Sequence, residues 1–198
     1  MWHFENIRSA ISICLLDRAR LGFAFDDLKL QRSMYISLYQ GSSQQAMANV
    51  APYLVALRAG SGNYRRLLEV SWGKSWGIFM QSQGLMQDLR KHFRKFLLVQ
   101  TEDKEELYFR FYDPRVLRVF LPTCSKDQLK EFFGPVEKYI MEDEDPGRAL
   151  VFSLDSTGML KKEVISLEDP SEELTSAETA KPKQPRSVVP RIEDNTIV

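Results

Sequence analysis

Breaking bonds near neutral pH takes a nucleophile, a base and a group that orients the base. The side chains able to fill those roles are few in this chain. It has two histidines, His3 and His92, and two cysteines, Cys14 and Cys124. His3 falls at the start of the chain. His92 falls among Leu85, Leu89, Phe93 and Phe96 at spacings of three and four, the place of a core-edge histidine on an amphipathic helix. The cysteines lie far apart, lack the paired spacing of a zinc site, and read as reduced thiols. No glycine-rich phosphate loop, no H-E-x-x-H and no G-x-S-x-G occurs. The acidic run Glu142-Asp143-Glu144-Asp145 lacks the spaced ligands and central glycine of a calcium loop and reads as a solvated charged loop. The chain is therefore expected not to be an enzyme and to hold no metal or cofactor. The enzymatic alternative is a hydrolase or transferase using His92 and Asp113, with Tyr112. It requires His92 and Asp113 to converge in one open cleft, with a nucleophile in hydrogen-bond reach.

Recognition chemistry is denser. In Trp72-Gly73-Lys74-Ser75-Trp76-Gly77 two indoles bracket a glycine turn. Each can bury on the order of 200 Å², either as an anchor of the turn in the core or as a hot spot at an interface. In Tyr108-Phe109-Arg110-Phe111-Tyr112-Asp113-Pro114-Arg115, strand alternation puts Phe109 and Phe111 on a core face and Tyr108, Arg110 and Tyr112 on the other. Arg110 either pairs with Asp113 or a nearby carboxylate, or keeps its fork free for a partner's carboxylate or carbonyl. Trp72, Trp76, Tyr108, Arg110, Tyr112 and Arg115 are the candidate partner-binding residues.

The elements that must hold these residues follow from periodicity and punctuation. Residues 11–16 and 52–57 are short apolar runs of strand length, and residues 33–39 form another extended segment. Helices are predicted over residues 18–30, 44–50, 64–72 (capped by Asn63 and ended by Gly73) and 85–96. Trp76 to Gln81 reads as a strand. Residues 96–99 and 107–113 read as a hairpin around a charged turn. Asp113-Pro114 starts a helix that ends at Pro122, and Ser125 caps another that stops at Gly134-Pro135. Residues 136–141 read as a strand, and residues 149–154 and 159–167 flank the turn Ser156-Thr157-Gly158 as a hairpin.

The 198 residues are 43% hydrophobic, enough for one good core without metals or disulfides. The expected fold is α+β: a single mixed α/β domain, a mixed sheet with flanking helices, over residues 1–140. A hairpin extension follows at 141–167. After it the composition turns to proline, serine, threonine and glutamate, which predicts a flexible tail over 168–198. Basic and acidic residues balance at 27 each, so the totals show no nucleic-acid footprint. No run reaches the roughly 18 apolar residues of a membrane helix, and no cleavable leader is recognisable. A cytoplasmic protein binder is the expectation.

Six stretches carry a resemblance: Leu38-Tyr39-Gln40-Gly41, Ala51-Pro52-Tyr53-Leu54-Val55, Trp72-Gly73-Lys74-Ser75-Trp76-Gly77-Ile78, Leu89-Arg90-Lys91-His92-Phe93-Arg94-Lys95-Phe96-Leu97, Phe109-Arg110-Phe111-Tyr112-Asp113-Pro114-Arg115-Val116-Leu117 and Phe132-Phe133-Gly134-Pro135-Val136. In this order, over about residues 11–140, they resemble the adaptor-chaperone (Tap/Tec) family of bacterial type VI secretion, first catalogued as a conserved domain of unknown function. The resemblance implies a cytosolic carrier that binds a toxic effector and brings it to the spike protein VgrG. Many members have a helical C-terminal lobe proposed to read the individual effector, and here only the hairpin and tail stand in its place. An immunity or scaffold protein for the same toxin is the further alternative.

Overall fold

The computed structural model describes residues 4, 7, 12–28, 35–41, 46–57, 62–100, 104 and 106–167. Their centre is a seven-stranded sheet. Its strands are β1 (Ile13–Asp17), β2 (Tyr35–Ser37), β3 (Pro52–Ala56), β4 (Gly77–Ser82), β7 (Val136–Glu142), β8 (Arg148–Leu154) and β9 (Leu160–Ser166), in the spatial order β2-β3-β1-β4-β7-β8-β9. Every ladder in it is antiparallel. Two short strands, β5 (Leu98–Gln100) and β6 (Glu106–Tyr108), form a separate antiparallel ribbon.

The inner strands of the sheet are buried on both faces, which is why they read as unbroken apolar runs rather than alternating ones, while the edge strand β9 is largely exposed. Along β1, Cys14 and Leu16 point to one face and Ile13 and Leu15 to the other. The first face is covered by α1 (Arg18–Leu21), α2 (Ala24–Asp27) and α3 (Gly62–Ser71), through Leu21, Phe25, Tyr64, Leu67 and Leu68. The second is covered by α4 (Met86–Arg94), α5 (Pro114–Phe120) and α6 (Lys126–Phe133), through Leu89, Phe93, Leu117, Leu129, Phe132 and Phe133. An α+β domain with helices flanking its sheet is the result. At the start of β4, Gly77 lies so close to β1 that a Cβ would stand 2.2 Å from the Leu15 carbonyl oxygen. Only glycine lets the two backbones approach there.

Several boundaries differ from those read in the sequence. The helix expected over 18–30 breaks at Gly22, whose φ is 53°, into α1 and α2; residues 29 and 30 lie outside the described set. Asn63 lies inside α3 rather than capping it. Residues 47–50 form turns, and the start of the helix expected at 44 falls outside the described residues. β6 stops at Tyr108 instead of running to Asp113. After α5 the chain carries Pro122 through a 3-10 turn, Leu121–Thr123. The expected caps of the last two helices are present. The Asp113 carboxylate accepts Arg115 N–H at 3.0 Å, and Ser125 and Gln128 bond reciprocally as a capping box.

The boundary expected at residue 140 runs through the middle of β7. That strand pairs with β4 on one side and β8 on the other, and Tyr139, Ile140, Met141, Leu150 and Phe152 are buried, so the hairpin is part of the one sheet rather than an extension. The tail expected over 168–198 lies outside the described residues. No helix among the described residues is long and apolar enough to cross a membrane.

Candidate partner-binding site

The turn between α3 and β4 is built around a carboxylate from another strand. Gly73 and Ser75 both take left-handed backbone angles, φ 76° and 54°. For serine that conformation is unfavourable unless its surroundings hold it. Glu142, buried at the end of β7, does so. Its carboxylate accepts Gly73 N–H at 2.6 Å, Ser75 N–H at 2.8 Å and the Ser75 hydroxyl at 2.9 Å. Trp72 is 4% exposed. Its indole N–H donates to the Pro146 carbonyl at 2.8 Å and its ring stacks on Phe79 at 5.9 Å. Trp72 is thus an interior anchor and offers no ring to a partner. Trp76 is half-buried, with the Lys74 ammonium 4.5 Å from its ring centroid. The acidic run is more integrated than a solvated loop. Besides Glu142, Asp143 and Asp145 flank Arg148, and Glu144 reaches Arg118.

The second constellation also turns inward. Because β6 ends at Tyr108, residues 111–112 form a turn, and strand alternation no longer applies. Phe111 is fully buried as expected, but Tyr112 is too, at 6% exposed. Burial, then the charges of Asp17 and the neighbouring Tyr39, push the Tyr112 phenol up to about 12. Arg110 pairs not with Asp113 but with Asp17, the last residue of β1. Asp17 is 1% exposed and also accepts Ala19 N–H at 3.0 Å as the cap of α1. The bond to Asp17 holds the Arg110 guanidinium above its usual range. Asp113 is buried as well. Arg115 grips it with two guanidinium nitrogens, at 3.0 and 2.6 Å, and Arg20 approaches to 3.7 Å. Burial alone would raise the Asp113 carboxyl, but the Arg115 hydrogen bonds and the Arg20 charge outweigh it and hold it below its usual value. These pairs satisfy two buried carboxylates that would otherwise be strongly unfavourable. Together they tie the end of β1, α1 and α5 into one knot.

His92 and Asp113 have separate partners. The His92 ring lies against α6, its Nε2 2.9 Å from the Phe132 carbonyl and its edge filling the space where a Cβ on Gly134 would stand. Burial lowers its pKa. The convergence that the enzymatic alternative needs is absent from the contacts of either residue. Among the described residues no three His, Cys, Asp or Glu side chains come together as a metal site.

Among the described residues, the β5–β6 ribbon gathers several exposed apolar side chains, while others such as Phe23 and Leu85 are exposed elsewhere. Leu98, Val99, Leu107 and Tyr108 are 40–62% exposed. Leu98 pairs with Tyr108 and Val99 with Leu107, so each pair shares one face of the ribbon. On the Leu98–Tyr108 side lies a cavity of about 200 Å³ that also involves Tyr39, Met47 and Arg94. Its wall at residues 38–39 is fixed by Arg90 and Arg94, which donate to the Tyr39 and Leu38 carbonyls at 2.7 and 2.8 Å. On the Val99 side lies an open groove of about 380 Å³, floored by Phe96, Phe109, Phe120 and Phe132 and rimmed by Gln128 and Glu131. Of the six residues singled out in the sequence, Tyr108 lines a cavity, Arg110 and Arg115 are half-exposed ion-pair partners, Trp76 is partly covered, and Trp72 and Tyr112 are interior. Leu98, Val99, Leu107, Phe96, Phe120 and Glu131 were not singled out. The only sequence signal was the hairpin itself, too short to bury its own side chains.

A family model described as a domain of unknown function, DUF4123, matches residues 14–131. No curated protein and no solved structure matches the chain. The matched stretch runs from β1 to α6 and includes the turn, the knot, the ribbon and most of the groove. It stops short of β7, although β7 pairs directly with β4.

Proposed function

The chain belongs to the DUF4123 family, whose domain is associated with type VI secretion effectors, and we propose from that premise that it binds one effector and helps load it onto the VgrG spike in the cytoplasm. In this reading it works by binding, not by turnover. The observation that carries it is the β5–β6 ribbon: aliphatic and aromatic side chains half-open to water on both faces, with a cavity on either side. Exposed apolar surface gathered in one place marks a protein-binding surface. The half-exposed guanidinium of Arg110, two residues past Tyr108, is a polar neighbour of the ribbon, as interface rims usually have.

The test is co-purification of the full chain with effector and VgrG proteins from its native cells, together with secretion of the captured effector from cells lacking the chain. A stable complex and loss of effector secretion or abundance are the expected results. An effector equally soluble, abundant and secreted without the chain would sink the proposal. Protection from the toxin with no effect on secretion would instead support an immunity protein.

A further inference from the structure

We infer that the open edge of β9 receives an extended segment of the bound protein, with an acidic side chain set opposite Lys162. This rests on the effector-binding reading and adds to it a second contact, made through main chain.

The ladder with β8 fixes which groups of β9 are unused. Asp155 N–H donates to the Met159 carbonyl at 2.9 Å, and Leu167 N–H to the Gly147 carbonyl at 2.8 Å. With the continuous register between them, the odd-numbered residues of β9 point their N–H and C=O groups at β8. Leu160, Lys162 and Val164 therefore point theirs away from the sheet, and no described residue bonds to them there. Sheet edges are closed by short strands, bulges, proline or a covering element. β9 is seven residues long, has no bulge in its register, contains no proline and is exposed over residues 161–164. The opposite edge strand, β2, is only three residues long. Lysine is the remaining guard on β9, and it selects a strand by charge rather than barring every strand. Another backbone supplies donors and acceptors at the two-residue spacing these groups need.

The side chains beside those groups set the charge. Lys162 and Val164 lie opposite Phe152 and Leu150 in the ladder, so they share that face of the sheet. Val164 is 53% exposed, and Lys162 has no ion-pair partner among the described residues. On the other face Glu163 is held by Lys161 at 2.7 Å and also feels the charge of Lys138. The Asp155 carboxylate, at the β8–β9 turn, is folded back onto the N–H groups of Thr157 and Met159. The edge is therefore basic. It fits a segment with a carboxylate opposite Lys162 and an apolar residue two positions away, opposite Val164. A second copy of this chain fits less well. Antiparallel self-pairing centred on Lys162 or on Glu163 sets that residue against its own twin, and like charges directly opposite destabilise a ladder.

Titration of the full chain with two synthetic peptides of about nine residues, a long strand, tests this. Both alternate valine and threonine and differ only in a central glutamate or lysine. Amide NMR shifts should centre on residues 160–164, and the Lys162 and Val164 amides should slow in hydrogen exchange. The glutamate peptide should bind about fivefold or more tightly at low salt, with the difference shrinking as salt rises. Lys162→Glu should reverse the preference. Val164→Pro removes one outward N–H and blocks the approach, at an edge position where proline is tolerated, and should weaken both peptides about tenfold or more. Should that variant unfold by circular dichroism, the amide map and Lys162→Glu decide. Equal affinities, shifts centred elsewhere, or unchanged binding to folded Val164→Pro chain would overturn the inference. So would Lys162 and Val164 amides already protected without peptide, which would mean that the chain closes its own edge. A dimer that Val164→Pro dissociates would overturn it in favour of self-pairing. The Val164→Pro chain is then taken through the effector co-purification. An effector retained as well as by the wild type overturns the edge as a contact while the adaptor reading stands. An effector that the wild-type chain itself fails to retain removes the adaptor reading, and the peptide titrations decide the edge separately.

Discussion

Residues 107–109 and 110–115 are neighbours in the chain and opposites in their use. The later segment holds the conspicuous chemistry, two arginines, a tyrosine and an aspartate, and nearly all of it is committed to internal pairs with Asp17 and Asp113. The earlier one holds plain apolar side chains, and Leu107 and Tyr108 face water. The Trp72–Trp76 turn repeats the pattern of the later segment, with Glu142 in the role of the buried carboxylate. A fixed left-handed turn or a capped helix next to a buried acid demands particular residues, so frame-building segments stand out in a sequence. A contact surface demands only that ordinary apolar residues lie where nothing else covers them.

That division predicts large stability effects from the frame. Trp72→Ala should cost about 4 kcal/mol, the usual loss for truncating a buried tryptophan, with the indole hydrogen bond to Pro146 lost as well. Urea denaturation measures it. A loss under about 1 kcal/mol, or a binding defect in chain that remains folded, would move Trp72 from the frame to the contact surface. Asp17→Ala comes next. It removes the cap of α1 and strands Arg110, and because Arg110 is half exposed and can turn to solvent, the expected loss is about 2–3 kcal/mol rather than that of a fully buried pair. The same denaturation series checks it, and a neutral outcome would mean that the knot does not hold the segment.

Most of the frame was legible in the sequence because local chemistry dictated it. The runs at 13–17 and 52–56 can only be interior strands, and Asp113-Pro114 and Ser125 mark their helix starts whatever surrounds them. The failures have one cause, which is that they depend on distant partners. Arg110 finds Asp17 across 93 positions of sequence, and Glu142 finds Ser75 across 67. Tyr112 was placed outward because the ribbon was assumed to continue, whereas a turn at 111–112 rotates it inside. The ribbon was found but its exposure was not, since Leu98, Val99 and Leu107 would look the same in a core.

A smaller effect distinguishes the knot by pH. The folded Asp113 carboxyl titrates below its usual 3.8. Its ionised form therefore adds stability that is fully present above about pH 5 and is lost as pH falls through 3.8 and on through the lower folded value. Asp113→Asn removes that contribution, so the variant should be less stable near neutrality and lose less on acidification than the wild type. Urea midpoints measured across this window check it, and parallel acid limbs for the two proteins would show that the Arg115 and Arg20 contacts do not act on Asp113 in solution.

The smallest stability effect belongs to the ribbon, and it is paired with the largest expected effect on binding. Tyr108 is 62% exposed and its ring lines the cavity beside Leu98 and Arg94. Truncation to alanine uncovers little that was buried, so Tyr108→Ala should stay within about 0.5 kcal/mol of the wild type. If the ribbon is the seat of the partner, the same change should weaken the complex tenfold or more, as loss of a central aromatic does at interfaces. Trp72 and Tyr108 were both candidate partner-binding residues in the sequence. The contrast between them fails if Tyr108→Ala unfolds the chain as readily as Trp72→Ala, or if it binds the effector as tightly as the unmodified protein does.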